Sequence, residues 1–250
     1  MGKWSEDELR LALALYCQLP FGKMHSRNPE VIRLAEKIGR TPSAVAMKLV
    51  NFASLDPEIV STGRTGLGNA SAMDRLVWEK FQQNWENELT QASSSLGSVT
   101  APAEAESIEQ IPAAVDTTRK AEVEIRTKQS LFRRMILSSY AGRCCISGLS
   151  EARLLVASHI VPWNKNNENR LNPRNGLCLS VLHDKAFDRG LITVLPDLTV
   201  MASSEISKLH DDKFIQSTLV AMNGQKIRLP EKFIPASEFL EWHNRNVFIG

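Results

Sequence analysis

Long apolar runs are missing from these 250 residues, and none approaches the ~20 needed to cross a bilayer. The opening stretch, MGKWSEDELR, carries charge at once and has no apolar core, so no secretory signal is expected there. Cysteine is scarce. Cys17, Cys144, Cys145 and Cys178 are too few and too irregularly spaced for a disulfide framework, which points to a reduced, cytoplasmic protein. No internal repeat is present, and no low-complexity tract outside one central stretch. With 43% apolar and 23% charged residues the composition is ordinary, which excludes a wholly disordered or collagen-like chain.

Charge is small in sum and uneven along the chain. The formal net charge is +2. Residues 119–190 hold 13 basic and 6 acidic side chains, net +7, while residues 91–118 hold four acidic and no basic ones. A basic segment suits a polyanion, because Lys and Arg that neutralise phosphates release counterions. A solvated surface with a basic excess is the plainer alternative. Residues 91–118 lack aromatics and are rich in Ser and Ala, so they read as a flexible linker. This gives a domain at 1–90, a linker at 91–118 and a domain at 119–250.

The first domain reads as all-helical. Ser5 with Glu8 forms a capping box, and Leu9, Leu13, Tyr16 and Cys17 recur at helical spacing. Asn28-Pro29 and Thr41-Pro42 each start a further helix, with Val31, Leu34 and Ala35, then Val45, Leu49 and Phe52, inward. Residues 72–89 read as one more helix with Leu76, Trp78, Phe81 and Trp85 as core candidates. The pair around Gly39 resembles a helix-turn-helix, in which Lys48 would face bases and Arg40 a phosphate. An ordinary helical hairpin is equally compatible, since the second helix carries one Lys. The glycine-rich GRTGLGN at 63–69 lacks the Lys-Ser/Thr of a phosphate loop and reads as a turn or wing.

The second domain reads as α+β: a helix at 120–140 with Ile125, Phe132 and Ile136 inward, then short β-branched runs at 153–158, 176–181, 191–195 and 198–201 with a short helix at 182–189. Its polar residues fall in three words: ASHIVPW at 157–163, RNG at 174–176 and LHDKAFDRG at 182–190. His159 ends a strand, Asn175 follows 16 residues later, and His183 eight residues after that on the helix.

This constellation, over roughly residues 126–195, resembles the HNH nucleases, and SHIVPW, NGLCLS and LHDKAFD look like their bacterial restriction-type branch. The resemblance implies a ββα-metal fold and metal-dependent hydrolysis of double-stranded DNA, with Mg²⁺ or Mn²⁺, in a defence setting. It implies that His159 is the general base, that Asn175 holds the loop and orients it, and that His183 is a metal ligand. A neutral imidazole, of ordinary pKa ~6.5, can take a proton from water near neutrality. The family often has Asp or His before the base, whereas this chain has Ser158. Asp188 is the expected replacement ligand, provided the helix ends between it and His183; a salt bridge to an Arg is its alternative role. Arg174 and Arg189 are expected on the DNA backbone. Cys144, Cys145 and Cys178 lack the paired CxxC spacing of a zinc site, so no structural zinc is expected. One such site cuts one strand, which suggests a homodimer for double-strand cleavage. A DNA-binding regulator that kept the fold and lost the chemistry is the alternative.

Overall fold

The sequence punctuates its own helices. In this computed structural model, which describes residues 2–61, 63, 68–96 and 117–250, Ser5 and Glu8 close the expected capping box on α1 (Glu6–Gln18). Asn28 caps α2 (Pro29–Lys37) and Thr41 caps α3 (Pro42–Ala53), each with Pro in the first turn. Gly39 adopts a φ of 65° between them, a conformation that an L side chain rarely takes. α4 (Pro57–Ser61) and α5 (Ala72–Gln83) follow.

The single helix expected at 72–89 is two. The chain breaks at Asn84 (φ −151°, ψ 79°), whose side chain accepts from the Asn87 amide, and α6 (Trp85–Leu96) begins anew. Leu76 points outward at 42% exposure, and its neighbour Val77 is buried instead. The Gly-rich stretch at 64–67 lies outside the described residues, as does 97–116 of the expected linker; residues 91–96 and 117–118 on either side are helical.

The structure divides into two units, Met1–Phe132 and Arg133–Gly250. In the first, α1 packs on α2, α3, α5 and α6, and it is apolar nearly all round because it lies at the centre. Tyr16, Phe52, Phe81 and Leu89 fill that core, and the Tyr16 hydroxyl donates to Asp56 at 2.6 Å. α7 (Thr117–Ser139) contains the division. Ile125, expected inward on it, is exposed, whereas Phe132, Met135 and Ile136 are buried.

The second unit is built on an antiparallel hairpin. β1 (Leu155–His159) pairs with β2 (Gly176–Ser180), Leu155 opposite Ser180 and His159 opposite Gly176. α8 (Val181–Asp188) follows directly, capped by Ser180. Gly190, at φ 69°, then turns the chain; a Cβ there would run into the Val247 carbonyl oxygen. β3 (Ile192–Val194) and β4 (Val200–Ala202) form a second antiparallel pair. α9 (Ser204–Ser207), α10 (Lys213–Thr218) and α11 (Ser237–Asn246) complete the unit.

α11 locks onto α8 and β3. His243 is buried, stacks on Phe187 at 3.6 Å, and donates from Nε2 to the Phe187 carbonyl at 3.1 Å. Its Nδ1 lies 2.8 Å from the Thr193 hydroxyl. The four cysteines are buried and form no disulfide. No helix among the described residues is long and apolar enough to cross a membrane.

Candidate active site

His159 ends β1 half-buried, at the mouth of the 160–175 loop. Its Nε2 lies 3.0 Å from the Arg170 carbonyl oxygen. A carbonyl can only accept, so Nε2 carries the proton and the lone pair of the neutral ring lies on Nδ1. Burial pushes the imidazole below its usual pKa, and the Arg170 carbonyl opposes that only in part. The ring is therefore neutral at physiological pH. Trp163 stands edge-on to it, ring centres 5.4 Å apart at 86°. Arg170 in turn donates from Nε to the Trp163 carbonyl at 3.0 Å and lays its guanidinium over the Trp163 ring at 5.1 Å.

Asn175 is buried and closes the loop at its base. Its Oδ1 accepts from the Val161 amide at 2.8 Å, and its Nδ2 donates to the Val161 and Asn169 carbonyls at 3.1 and 3.3 Å. Its own carbonyl accepts from the Ile160 amide at 3.0 Å. The loop between is a ladder of asparagines three residues apart. Asn166 accepts from the Asn169 amide and side chain, and Asn169 accepts from the Asn172 side chain at 2.9 Å. Asn172 caps the turn of Pro173–Asn175 by accepting from the Arg174 amide. The carbonyl that aligns His159 is thus placed by side chains of its own loop. The spacing Asn166, Asn169, Asn172, Asn175 is visible in the sequence, but only Asn175 is singled out from it; the other three emerge from the structure.

His183 lies on the first turn of α8 and is 4% exposed. The Ser180 hydroxyl accepts from the His183 amide and lies 2.6 Å from Nδ1, so it donates there. Nε2 then bears the proton and donates to the Thr218 carbonyl at 3.2 Å, at the end of α10. Both ring nitrogens are engaged. Cys144 Sγ is 4.0 Å from Nδ1.

α8 runs unbroken through Asp188, so the condition under which His183 and Asp188 could share one ion is not met: five helical positions put them about 140° apart. Asp188 is exposed, its carboxyl raised by partial desolvation and then by Asp184. Arg189 is exposed beyond the helix, and Arg174 is half-buried with its carbonyl accepting from Ala236.

Arg40 and Lys48 belong to the other unit. Arg40 bonds Glu8 and the Gly2 and Lys3 carbonyls, and Lys48 bonds both oxygens of the buried Asp74 at 2.8 Å. Their charges are matched within their own unit, and the outer face of α3 shows Thr41, Ser43 and Met47.

Residues 144–195 match the model of a family described as HNH endonuclease. This segment is an HNH domain. It takes in β1, β2, α8 and β3 and contains His159, Asn175 and His183. No curated protein matches the chain. HNH endonucleases act on DNA and generally use a divalent metal. The HNH domain as placed does not fit such an ion. Neither His183 nitrogen can coordinate without giving up a protein partner, and Asp188 lies on another face of α8. The Ser158 hydroxyl is buried with no hydrogen-bond partner among the described residues, but it offers only one neutral oxygen. Among the described residues no group of three or more His, Cys, Asp or Glu could hold a metal ion.

Proposed function

We propose that the C-terminal unit is a DNA endonuclease that hydrolyses phosphodiester bonds with His159 as general base. The observation that carries this reading is the neutral imidazole held through Nε2 by the Arg170 carbonyl. Water's oxygen adds to phosphorus as its proton passes to Nδ1 of His159. The bridging P–O bond then breaks, its oxygen takes a proton from solvent water and leaves as an alcohol, and His159 returns its own proton to solvent. Asn175 does not touch substrate in this scheme; it holds the loop that aligns the base. Arg174 and Arg189 contact the DNA backbone on either side of the motif. One site nicks one strand, so double-strand cleavage takes a homodimer or two nicks. A restriction or defence role is the setting this chemistry suits, by analogy with the family.

Plasmid nicking by purified protein, with Mg²⁺, Mn²⁺ or EDTA, tests the reading. His159→Ala should lower the rate by about 10²–10⁴, the usual contribution of a positioned base, and keep duplex binding. Full activity in that variant would overturn the assignment. The acid limb of the wild-type rate should fall below the ordinary histidine value of ~6.5, because the base must be deprotonated and burial favours that form.

The engaged nitrogens of His183 favour a second reading, a DNA-binding protein with the HNH fold and no nuclease chemistry. Duplex binding with no nicking under any of those conditions would select it.

A further inference from the structure

Arg170 serves the base with one atom and leaves its charge for another task. Its backbone carbonyl fixes His159. Its side chain is separately anchored, Nε on the Trp163 carbonyl and the guanidinium carbon over the Trp163 ring. Trp163 itself stands against His159. Base and guanidinium are therefore referenced to one another through one residue and one ring. We propose that Arg170 seats the phosphate to be cleaved, through Nη1 and Nη2, beside His159; this rests on the nuclease reading.

Three observations support it. First, Nε uses one of the five N–H donors of the fork, and Nη1 and Nη2 have no hydrogen-bond partner among the described residues. Second, no carboxylate pairs with Arg170 among the described residues, whereas Arg10 and Arg40 are closed by glutamates and Arg133 by the Leu155 and Ala152 carbonyls. An anchored, half-buried cation without an acid is suited to an anion from outside.

Third, the dimensions agree. His159 and the guanidinium are two ring contacts apart, of 5.4 and 5.1 Å. A path from base nitrogen to water, phosphorus, phosphate oxygen and guanidinium nitrogen has hydrogen bonds of ~2.9 Å and an approach of about 3–3.5 Å. It spans about 10 Å when extended and less when bent. The guanidinium carbon lies over the indole and Nε is taken by the Trp163 carbonyl, so a phosphate meets Nη1 and Nη2, where two parallel N–H bonds reach two oxygens.

The test measures duplex binding in the His159→Ala background, which separates phosphate contact from chemistry. Arg170→Gln keeps the side-chain stem on Trp163 and the main-chain carbonyl on His159. It should weaken binding about tenfold and reduce the slope of log affinity against log salt by about 0.9, one phosphate's worth. Arg170→Lys should recover the salt slope. In the chain with His159 intact, Arg170→Lys should still nick more slowly at saturating DNA, because the ammonium loses the fork. An unchanged slope in Arg170→Gln, with its circular dichroism matching the parent, overturns the proposal. If Arg170→Gln misfolds, Arg170→Lys decides alone: nicking at the wild-type rate rules out the fork. Failure of the wild type to nick DNA overturns the nuclease reading and leaves the salt slope to report on Arg170.

Discussion

Replacing Asn175 should unfasten the loop and little else. Its side chain makes three bonds to backbone groups, the Val161 amide, the Val161 carbonyl and the Asn169 carbonyl, in a position 1% exposed. Asn175→Ala strands the Val161 amide and carbonyl, whereas the Asn169 carbonyl keeps the Asn172 amide at 3.4 Å. A buried backbone group left unpaired costs about 1–3 kcal/mol, and relaxation that admits water brings the sum for two towards the lower end, about 2–4 kcal/mol. Urea unfolding reads the stability. Hydrogen exchange across residues 160–175 reads the place, and the Val161 amide should lose protection most.

The isosteric Asn175→Asp sharpens this test. Its carboxyl faces two carbonyl oxygens where the amide donated, so its folded-state pKa is raised above the ordinary ~3.9. The folded state then binds the proton more tightly than the unfolded one. Stability relative to wild type is therefore best in acid and falls as pH rises through that raised pKa. A loss under about 1 kcal/mol in the Ala variant, or an Asp variant whose deficit shrinks as pH rises, would refute the clamp.

Other expectations concern the same unit. His243 is held neutral by burial, its pKa lowered to about 4. The unfolded chain takes up that proton first, so acidification from about 6.5 towards 4 should remove about 3 kcal/mol of stability, and His243→Gln should flatten that limb in a urea series at several pH values. Gly190→Ala drives a methyl into the Val247 carbonyl and forces a positive φ, so it should detach the segment after α11, seen as new protease cleavage beyond residue 246. Ser158→Ala removes a buried hydroxyl that has no partner among the described residues, and its unfolding free energy should stay within about 0.5 kcal/mol of wild type. A loss above 2 kcal/mol would mean that the hydroxyl is used.

What could be read beforehand was local. The caps at Ser5, Asn28 and Thr41 depend on residues one to three positions away, and all three form. The strands and α8 also fall near the expected runs, because β-branched clusters between turn residues leave few options. Helix phase was less legible. Leu76 and Val77 are both apolar, and only the packing of α5 decides which faces inward. The order of His159, Asn175 and His183 was evident, but not what holds them. Thr218 and Arg170 act through backbone carbonyls, which every residue possesses, so no side-chain pattern marks them. The break at Asn84 and the unbroken run to Asp188 likewise follow from backbone competition that spacing alone does not resolve.

The clamp residue is followed by Gly176, and that pairing has a chemical lifetime. In a flexible chain the glycine amide nitrogen attacks the asparagine side-chain carbon, ammonia leaves, and the ring opens to aspartate or isoaspartate. Here Gly176 is extended (φ −141°, ψ 146°) opposite His159, and two carbonyls hold the Asn175 amide, so the attack cannot line up. Each unfolding lifts that protection. A molecule that reacts while open returns with an acid where the loop needs a donor, so the hairpin accumulates damage in proportion to the time it has spent unfolded.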